Sequence, residues 1–97
     1  MNIMQYTRSN SRLTVQLESD FNLNAVREIK TLWDGRKELH VDLQQARFVN
    51  TEAVIFIHKL LQGRTRVRLK NPPKIFFEVL HILGLHEIWD LENIIQR

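Results

Sequence analysis

Thr51 is the residue whose type and position are most suggestive of chemistry. It lies between Asn50 and Glu52, directly before a long apolar run. The first amides of a helix have no backbone partner, and the helix dipole favours negative charge there, so a hydroxyl at this position can cap the helix or carry a phosphate. The simplest interpretation is that Asn50 or Thr51 is the helix cap, since both residue types favour that role.

A second group of side chains forms a basic row, in which charged residues alternate with apolar ones. The row consists of Arg64, Arg66, Arg68 and Lys70. Such a row could bind phosphate or nucleic acid. Its period of two instead favours the open face of the last strand of a sheet, where Glu38 and Asp42 on the neighbouring strand can pair with it at about 0.2–1 kcal/mol per pair. We therefore prefer a solvated, partly self-paired face.

The other titratable residues form no catalytic or metal-binding pattern. His40 falls on the wet face of a predicted strand, and no two histidines have the i, i+4 spacing of a helical metal pair. The remaining three are His58, His81 and His86, on predicted helices or their ends. No Ser–His or lysine constellation is visible, and each glycine lies at a predicted helix end. We expect no catalytic residue, no metal and no cofactor, and hence no enzyme.

Length and composition indicate one domain over residues 1–97. The 43% hydrophobic content suffices for a core, and the absence of cysteine excludes disulfides and thiolate metal sites. No segment approaches the roughly 20 apolar residues of a membrane span, and the first residues lack a signal-peptide run, so we expect a cytoplasmic protein without membrane insertion. The net charge of +3 identifies no partner.

Hydrophobic periodicity predicts alternating strands and helices. Segments with a period of two, typical of strands, are 3–8, 12–18, 38–43 and 64–70, the first two forming a hairpin across Ser9–Ser11. Helical segments are 23–33, 51–62 and the stretch that Asn71-Pro72-Pro73 caps and starts and that continues to Leu83, with a helical turn and a short strand in the tail 89–97. Asn22 is the expected cap of the first helix, and Gly35, Gly63 and Gly84 end the three helices.

These elements predict an α/β fold with one covered face. Strands joined by helices run parallel, and right-handed crossovers in sequential order place the helices on the same side. We therefore expect a mixed sheet of four to five strands in sequential order, the first pair antiparallel and the rest parallel, with helices mainly on one face. The aromatic core candidates are Trp33, Phe76, Phe77 and Trp89; an aromatic left exposed beside residue 51 would be a natural partner anchor.

Two segments carry a resemblance to a known family. The stretch Val41–Val54 resembles the central signature of STAS domains, the family of the anti-sigma-factor antagonists, in which a strand ending in Asp leads through a short hydrophobic turn to an Asp, a Ser or Thr, a small residue and a Gly. The stretch Asn71–Leu85 resembles the third helix of that family and its Leu-x-x-x-Gly-Leu ending. The resemblance spans roughly residues 11–90 and implies a small bacterial STAS protein.

The resemblance implies that Thr51 matches the Ser or Thr that accepts phosphate from a partner kinase doubling as an anti-sigma factor. This chain departs from the pattern, because Asn50 and Asn22 replace aspartates and Glu52 and Ala53 replace the small residue and the glycine. Glu52 could partly imitate a phosphorylated state or be an ordinary first-turn acid.

The implied docking surface comprises the segment 50–59 and the loop 20–24. Its candidate contact residues are Asn22, Asn24, Asn50, Thr51, Glu52, Ile55 and Lys59. The implied partner is an anti-sigma factor or a histidine-kinase-like Ser/Thr kinase, and the protein itself is expected to be a monomer or weak dimer. Two alternatives remain: a STAS subunit of a bacterial phospholipid-transport system that binds its ABC ATPase, and a nucleic-acid binder that uses the basic row.

Overall fold

Alternating apolar residues build a five-stranded mixed sheet. The computed structural model describes residues 4–96, so Ile3 and Arg97, which the sequence analysis placed in the first strand and the tail, lie outside the described residues. The strands are β1 (Met4–Arg8), β2 (Arg12–Leu17), β3 (Glu38–Asp42), β4 (Arg66–Lys70) and β5 (Ile95–Gln96). They are ordered β1-β2-β3-β4-β5, with β1 and β2 antiparallel and the other pairs parallel, as expected.

The helices pack mainly on one face of this sheet. They are α1 (Leu23–Leu32), α2 (Thr51–Gln62), α3 (Lys74–Ile82) and the short α4 (Leu91–Ile94), preceded by a 3-10 turn at Leu85–Glu87. On β2, β3 and β4 every second residue is buried beneath them, and the intervening residues are exposed or half-buried. The predicted α/β architecture with one covered face is thus confirmed. Within residues 4–96, no helix is long and apolar enough to span a membrane.

Two helix boundaries differ in detail from the expectation. The Asn71-Pro72-Pro73 segment does lead into α3, but Pro73 holds the N-cap position without any side-chain cap bond, and Asn71 adopts a left-handed φ of 54°. Likewise α2 ends before Gly63, yet the left-handed residue there is Arg64, with φ 66°, and not the glycine. Gly84, at φ 72° after α3, and Gly35, at φ 78° in the turn that follows α1, do use the conformational freedom of glycine.

The core contains most of the predicted aromatics. Phe76 is fully buried, and Trp89 is buried with its indole Nε1 donating a hydrogen bond to His58 Nδ1 at 3.0 Å. Trp33 and Phe77 are only partly buried and pack against the edge of the core. Leu23, which the helical pattern placed on the buried side of α1, is in fact exposed at the first position of the helix.

The open face of the sheet bears charges in the predicted register, but the ion pairs differ from those expected. Glu38 lies opposite Arg66 across β3 and β4. Its carboxylate nevertheless pairs with Arg12 of β2, at 3.2 Å, and accepts a hydrogen bond from His40 Nε2. Opposite charges are therefore paired across β2 and β3 more than across β3 and β4.

The short strand predicted in the tail is β5, which pairs beside Leu69 and Lys70. Strand β4 is therefore not the last strand of the sheet, which corrects the interpretation of the basic row. Arg68 is not part of a cross-strand ion pair: its Nη1 donates to the backbone carbonyl of Asn93 at 2.6 Å. Arg64 lies in the turn before β4. Of the basic row, Arg64 thus lies in a turn and Arg68 binds a backbone carbonyl. In the described part of the chain, only Arg66 and Lys70 remain as strand residues without such a contact.

The environment of Glu38 lowers its pKa from the ordinary value of 4.5. The hydrogen bond from His40 is the largest cause, and the positive charges of Arg12, His40 and Arg66 act in the same direction, against the smaller opposing effect of partial burial. The charged carboxylate is therefore favoured by folding.

A lowered folded-state pKa stabilises the fold above the unfolded-state pKa, and that contribution is lost as the pH falls through the folded-state value. We therefore expect Glu38→Gln to reduce the free energy of unfolding near neutral pH, and the difference from the parent protein to shrink as the pH falls below 4.5. Urea unfolding at neutral and acid pH measures this. Exposed Glu78→Gln is the control, expected within about 0.5 kcal/mol of the parent at neutral pH. A Glu38 difference that persists undiminished in acid would contradict the account.

Candidate functional site

Thr51 is the first residue of α2, and its side chain is exposed. Asn50 holds the N-cap position with extended backbone angles (φ −87°, ψ 153°), but its side chain makes no cap hydrogen bond. Asn50 therefore occupies the expected cap position, but its side chain does not make the capping hydrogen bond. Of the first-turn amides, Ala53 N donates to the backbone carbonyl of Asn50 at 3.1 Å, and the Asn50 side chain binds none, so this helix start can accommodate an added acceptor group beside Thr51.

A backbone bridge joins the two loops that flank this helix start. Phe21 and Val49 form an isolated parallel bridge, in which Phe21 N donates to Phe48 O at 3.0 Å and Asn50 N donates to Phe21 O at 2.9 Å. Both bridge side chains are buried in the core. The loop after β2 and the loop before α2 are thus held together by paired hydrogen bonds over an apolar anchor.

Asp20 adds a charged link between the same loops. Its Oδ1 accepts hydrogen bonds from the backbone N–H groups of Arg47, at 3.0 Å, and Phe48, at 3.1 Å. Bonds to an ionised acceptor are stronger than neutral ones. Asp20 belongs to the predicted docking loop, but this link between the loops was not predicted. The sequence feature that could have indicated it is the acid directly before Phe21.

Phe48 is the exposed aromatic of this site, and the sequence analysis did not name it. Its side chain is 66% exposed, because its neighbour Val49 points into the core in the bridge with Phe21. The loop has neither a period of two nor of 3.6, so no pattern indicated which of the two residues would face outward. From the sequence we stated only that an aromatic left exposed beside residue 51 would be a natural anchor, and Phe48 is such a residue.

An apolar groove lies between α1 and α2. It is lined by Leu23, Val26, Lys30, Glu52, Ile55, Phe56, Lys59 and Leu60. Leu23 is 42% exposed and Ile55 is 37% exposed, so both present apolar surface to solvent. Lys30 Nζ lies 5.7 Å from the centre of the Phe56 ring. The groove therefore has an apolar floor and more positive than negative side chains.

The structure brings together only some of the predicted contact residues. Glu52, Ile55 and Lys59 line the groove, and Asn50 and Thr51 are exposed at the start of α2. Asn22 is used structurally, because its Oδ1 accepts a hydrogen bond from Ala25 N at 3.1 Å and so caps α1 as expected. Asn24 is exposed on the first turn of α1 and does not line the groove.

No set of three or more His, Asp or Glu side chains in residues 4–96 is arranged to hold a metal ion. His58 accepts the indole hydrogen bond of Trp89, and His81 stacks on His86 with ring centres 3.8 Å apart. The expectation that the chain has no catalytic residue stays a prediction.

The link made by Asp20 has a measurable energy. We expect Asp20→Ala to lower the free energy of unfolding by about 1–3 kcal/mol, because two backbone amides lose a charged acceptor. Asp20→Asn keeps one acceptor oxygen and should cost less. Exposed Glu18→Ala, in the same loop, is the control and should change stability by no more than about 0.5 kcal/mol. Urea unfolding provides the values; equal losses for Asp20→Ala and Glu18→Ala would refute the link.

The fold with its exposed helix start can be compared with known proteins. No protein-family model and no curated protein sequence matches this chain. Among solved structures, it is similar to the anti-sigma factor antagonist SpoIIAA in its unphosphorylated form, with a TM-score of 0.70 over 96% of this chain and 85% of that one. The two are 13% identical, so the likeness concerns the fold. The sequential mixed sheet with helices mainly on one face is therefore a STAS-type fold, as the motifs indicated.

Proposed function

We propose that this chain is a single-domain, non-catalytic protein-interaction module of the anti-sigma-factor-antagonist type. Its docking surface consists of Phe48, Asn50, Thr51 and the α1–α2 groove described above. The proposed partner is an anti-sigma factor or a histidine-kinase-like Ser/Thr kinase. The similarity of the fold to SpoIIAA supports this class of partner.

The observation that carries the proposal is the exposure of Phe48 on a fixed backbone. A single exposed apolar residue is ordinary on a protein surface. Here the aromatic ring is presented by a loop whose two adjacent amides and carbonyl are already hydrogen-bonded, and Leu23 and Ile55 extend the apolar surface. A preordered aromatic loses little conformational entropy on binding, which makes it an effective anchor.

The charges of the groove favour an acidic partner. Lys30 and Lys59 line it together with the single acid Glu52. Complementary charges raise the rate and specificity of association more than they raise affinity. A partner that presents apolar side chains flanked by carboxylates would match both the floor of the groove and its rim.

Regulation by phosphate on Thr51 fits the same surface. The hydroxyl is exposed at the positive end of α2, where a phosphate is tolerated without unfolding. A phosphate adds about −1.5 to −2 charges at neutral pH. Next to Glu52, it would add to the negative charge at the start of α2 and would repel an acidic partner.

The docking surface is tested by binding measurements with a purified partner. Affinity capture from the native cell should yield a sigma-regulatory kinase or anti-sigma factor, whereas capture of an ABC ATPase would favour the transport alternative.

With the purified protein, we expect Phe48→Ala to weaken binding about 30-fold or more, the effect of losing a central aromatic anchor, and Thr51→Arg to weaken it similarly. The control Ile82→Ala removes an even more exposed apolar residue at the end of α3 and should bind normally. Unchanged binding by both site variants would disprove this surface.

The switch is tested separately by intact mass after incubation with the partner kinase and ATP. We expect the mass of one phosphate on the parent protein, none on Thr51→Ala, and normal phosphorylation of Thr31→Ala, an exposed threonine on α1. The phosphorylated form should bind the partner more weakly. A kinase that is active on its own substrates but leaves Thr51 unmodified would rule out the switch and leave a constitutive adaptor.

A further inference from the structure

A second concave surface shares no lining residue with the groove of the docking surface. This cleft, of about 520 Å³, is bounded by the C-terminal half of α2, by β4 and by the segment from Ile88 to Ile94. Its volume falls within the roughly 300–1,000 Å³ of small-molecule sites. Nothing in the proposed docking function uses it.

The cleft exists because β5 is too short to cover β4. Strand β5 pairs only beside Leu69 and Lys70, so within residues 4–96 the stretch Arg66–Arg68 has no strand on its outer side. Arg66 N donates to Lys37 O at 2.9 Å, toward β3, and alternate residues of a strand direct their amides to opposite sides. The amide of Val67 therefore faces the cleft.

The walls combine apolar surface with positive charge. Leu61, Ile88 and Trp89 supply apolar surface, and Arg66 and Arg68 supply two guanidinium groups. The only acid in the lining is Asp90, which accepts a hydrogen bond from Asn93 Nδ2. Arg66 is exposed and forms no ion pair with the rest of the described chain.

Two internal contacts fix the shape of the cleft. Trp89 Nε1 donates to His58 Nδ1 at 3.0 Å, which ties the tail to α2 and leaves Nε2 as the protonated nitrogen of the neutral imidazole. Arg68 donates to the carbonyl of Asn93, which ties α4 to β4. Because both contacts are made within the chain itself, they hold the walls of the cleft in place.

We propose that this cleft binds a small organic anion, with its apolar body between Leu61, Ile88 and Trp89 and its carboxylate or sulfonate facing Arg66. Apolar walls with a few convergent polar groups are typical of small-molecule sites, and a guanidinium is well suited to a carboxylate or sulfonate. This site is independent of the docking function.

The two tryptophans make the test direct, because Trp89 lines the cleft and Trp33 does not. The probe is naphthalene-1-sulfonate, titrated into the ¹⁵N-labelled protein. We expect a saturable shift of the Trp89 indole N–H resonance and no shift of the Trp33 resonance. The uncharged analogue 1-naphthalenemethanol should bind several-fold more weakly.

Matched variants locate the two halves of the ligand. Arg66→Gln should weaken binding about five-fold, as expected for loss of a charge-assisted contact at an exposed position, and Arg27→Gln on α1 should not. Ile88→Ser should weaken it, and Ile82→Ser, at an even more exposed position outside the cleft, should not. Arg27, Arg66 and Ile82 are exposed, and Ile88 is largely exposed too, so we expect all four variants to fold. The proposal is overturned if Trp89 does not shift at millimolar probe, if both tryptophans shift alike, or if Arg66→Gln binds like the parent.

Discussion

The hydrogen bonds from Arg47 and Phe48 to the carboxylate of Asp20 hold two loops at the edge of the sheet where β2 and β3 end. They act with the bridge between Phe21 and Val49, whose side chains are buried. A bridge residue that points inward forces its neighbour outward, so the burial of Val49 requires the exposure of Phe48. The same constraint sets the position at which α2 begins, and with it the exposure of Thr51.

Helix α2 connects the two surfaces for which functions are proposed. Thr51 lies at its start and Leu61 near its end, about 15 Å apart at the usual rise per residue. The buried side of α2, which includes Ala53, Val54 and Ile57, packs into the core and keeps the helix fixed. Thr51 and the cleft are therefore at opposite ends of α2, whereas the groove reaches Lys59 and Leu60, which adjoin the cleft residues His58 and Leu61 in sequence.

Much of the fold was predictable because strand and helix periods report burial directly. The alternation around Val41 and Val67 and the apolar run after Thr51 led to correct strands, to the correct bounds of α2 and to the covered face. The failures fall where no period exists. Phe48 lies in an irregular loop, and only the three-dimensional bridge decides that it faces outward.

Charged contacts were harder to predict than burial for a related reason. Register places Glu38 opposite Arg66, but a long side chain can reach several partners, and Glu38 pairs with Arg12 instead. The acceptor for Arg68 is a backbone carbonyl of Asn93, 25 residues away, which no side-chain pattern reveals. Position on a face follows from sequence, whereas the choice of partner depends on the packed tail.

Backbone ¹⁵N relaxation of residues 47–51 is the most direct test of whether the docking surface is already ordered in the free protein. We expect order parameters close to those of α2, about 0.85, because Asp20 and the Phe21 bridge fix the loop. Values below about 0.6 for Phe48 and its neighbours would show a mobile loop and would contradict it.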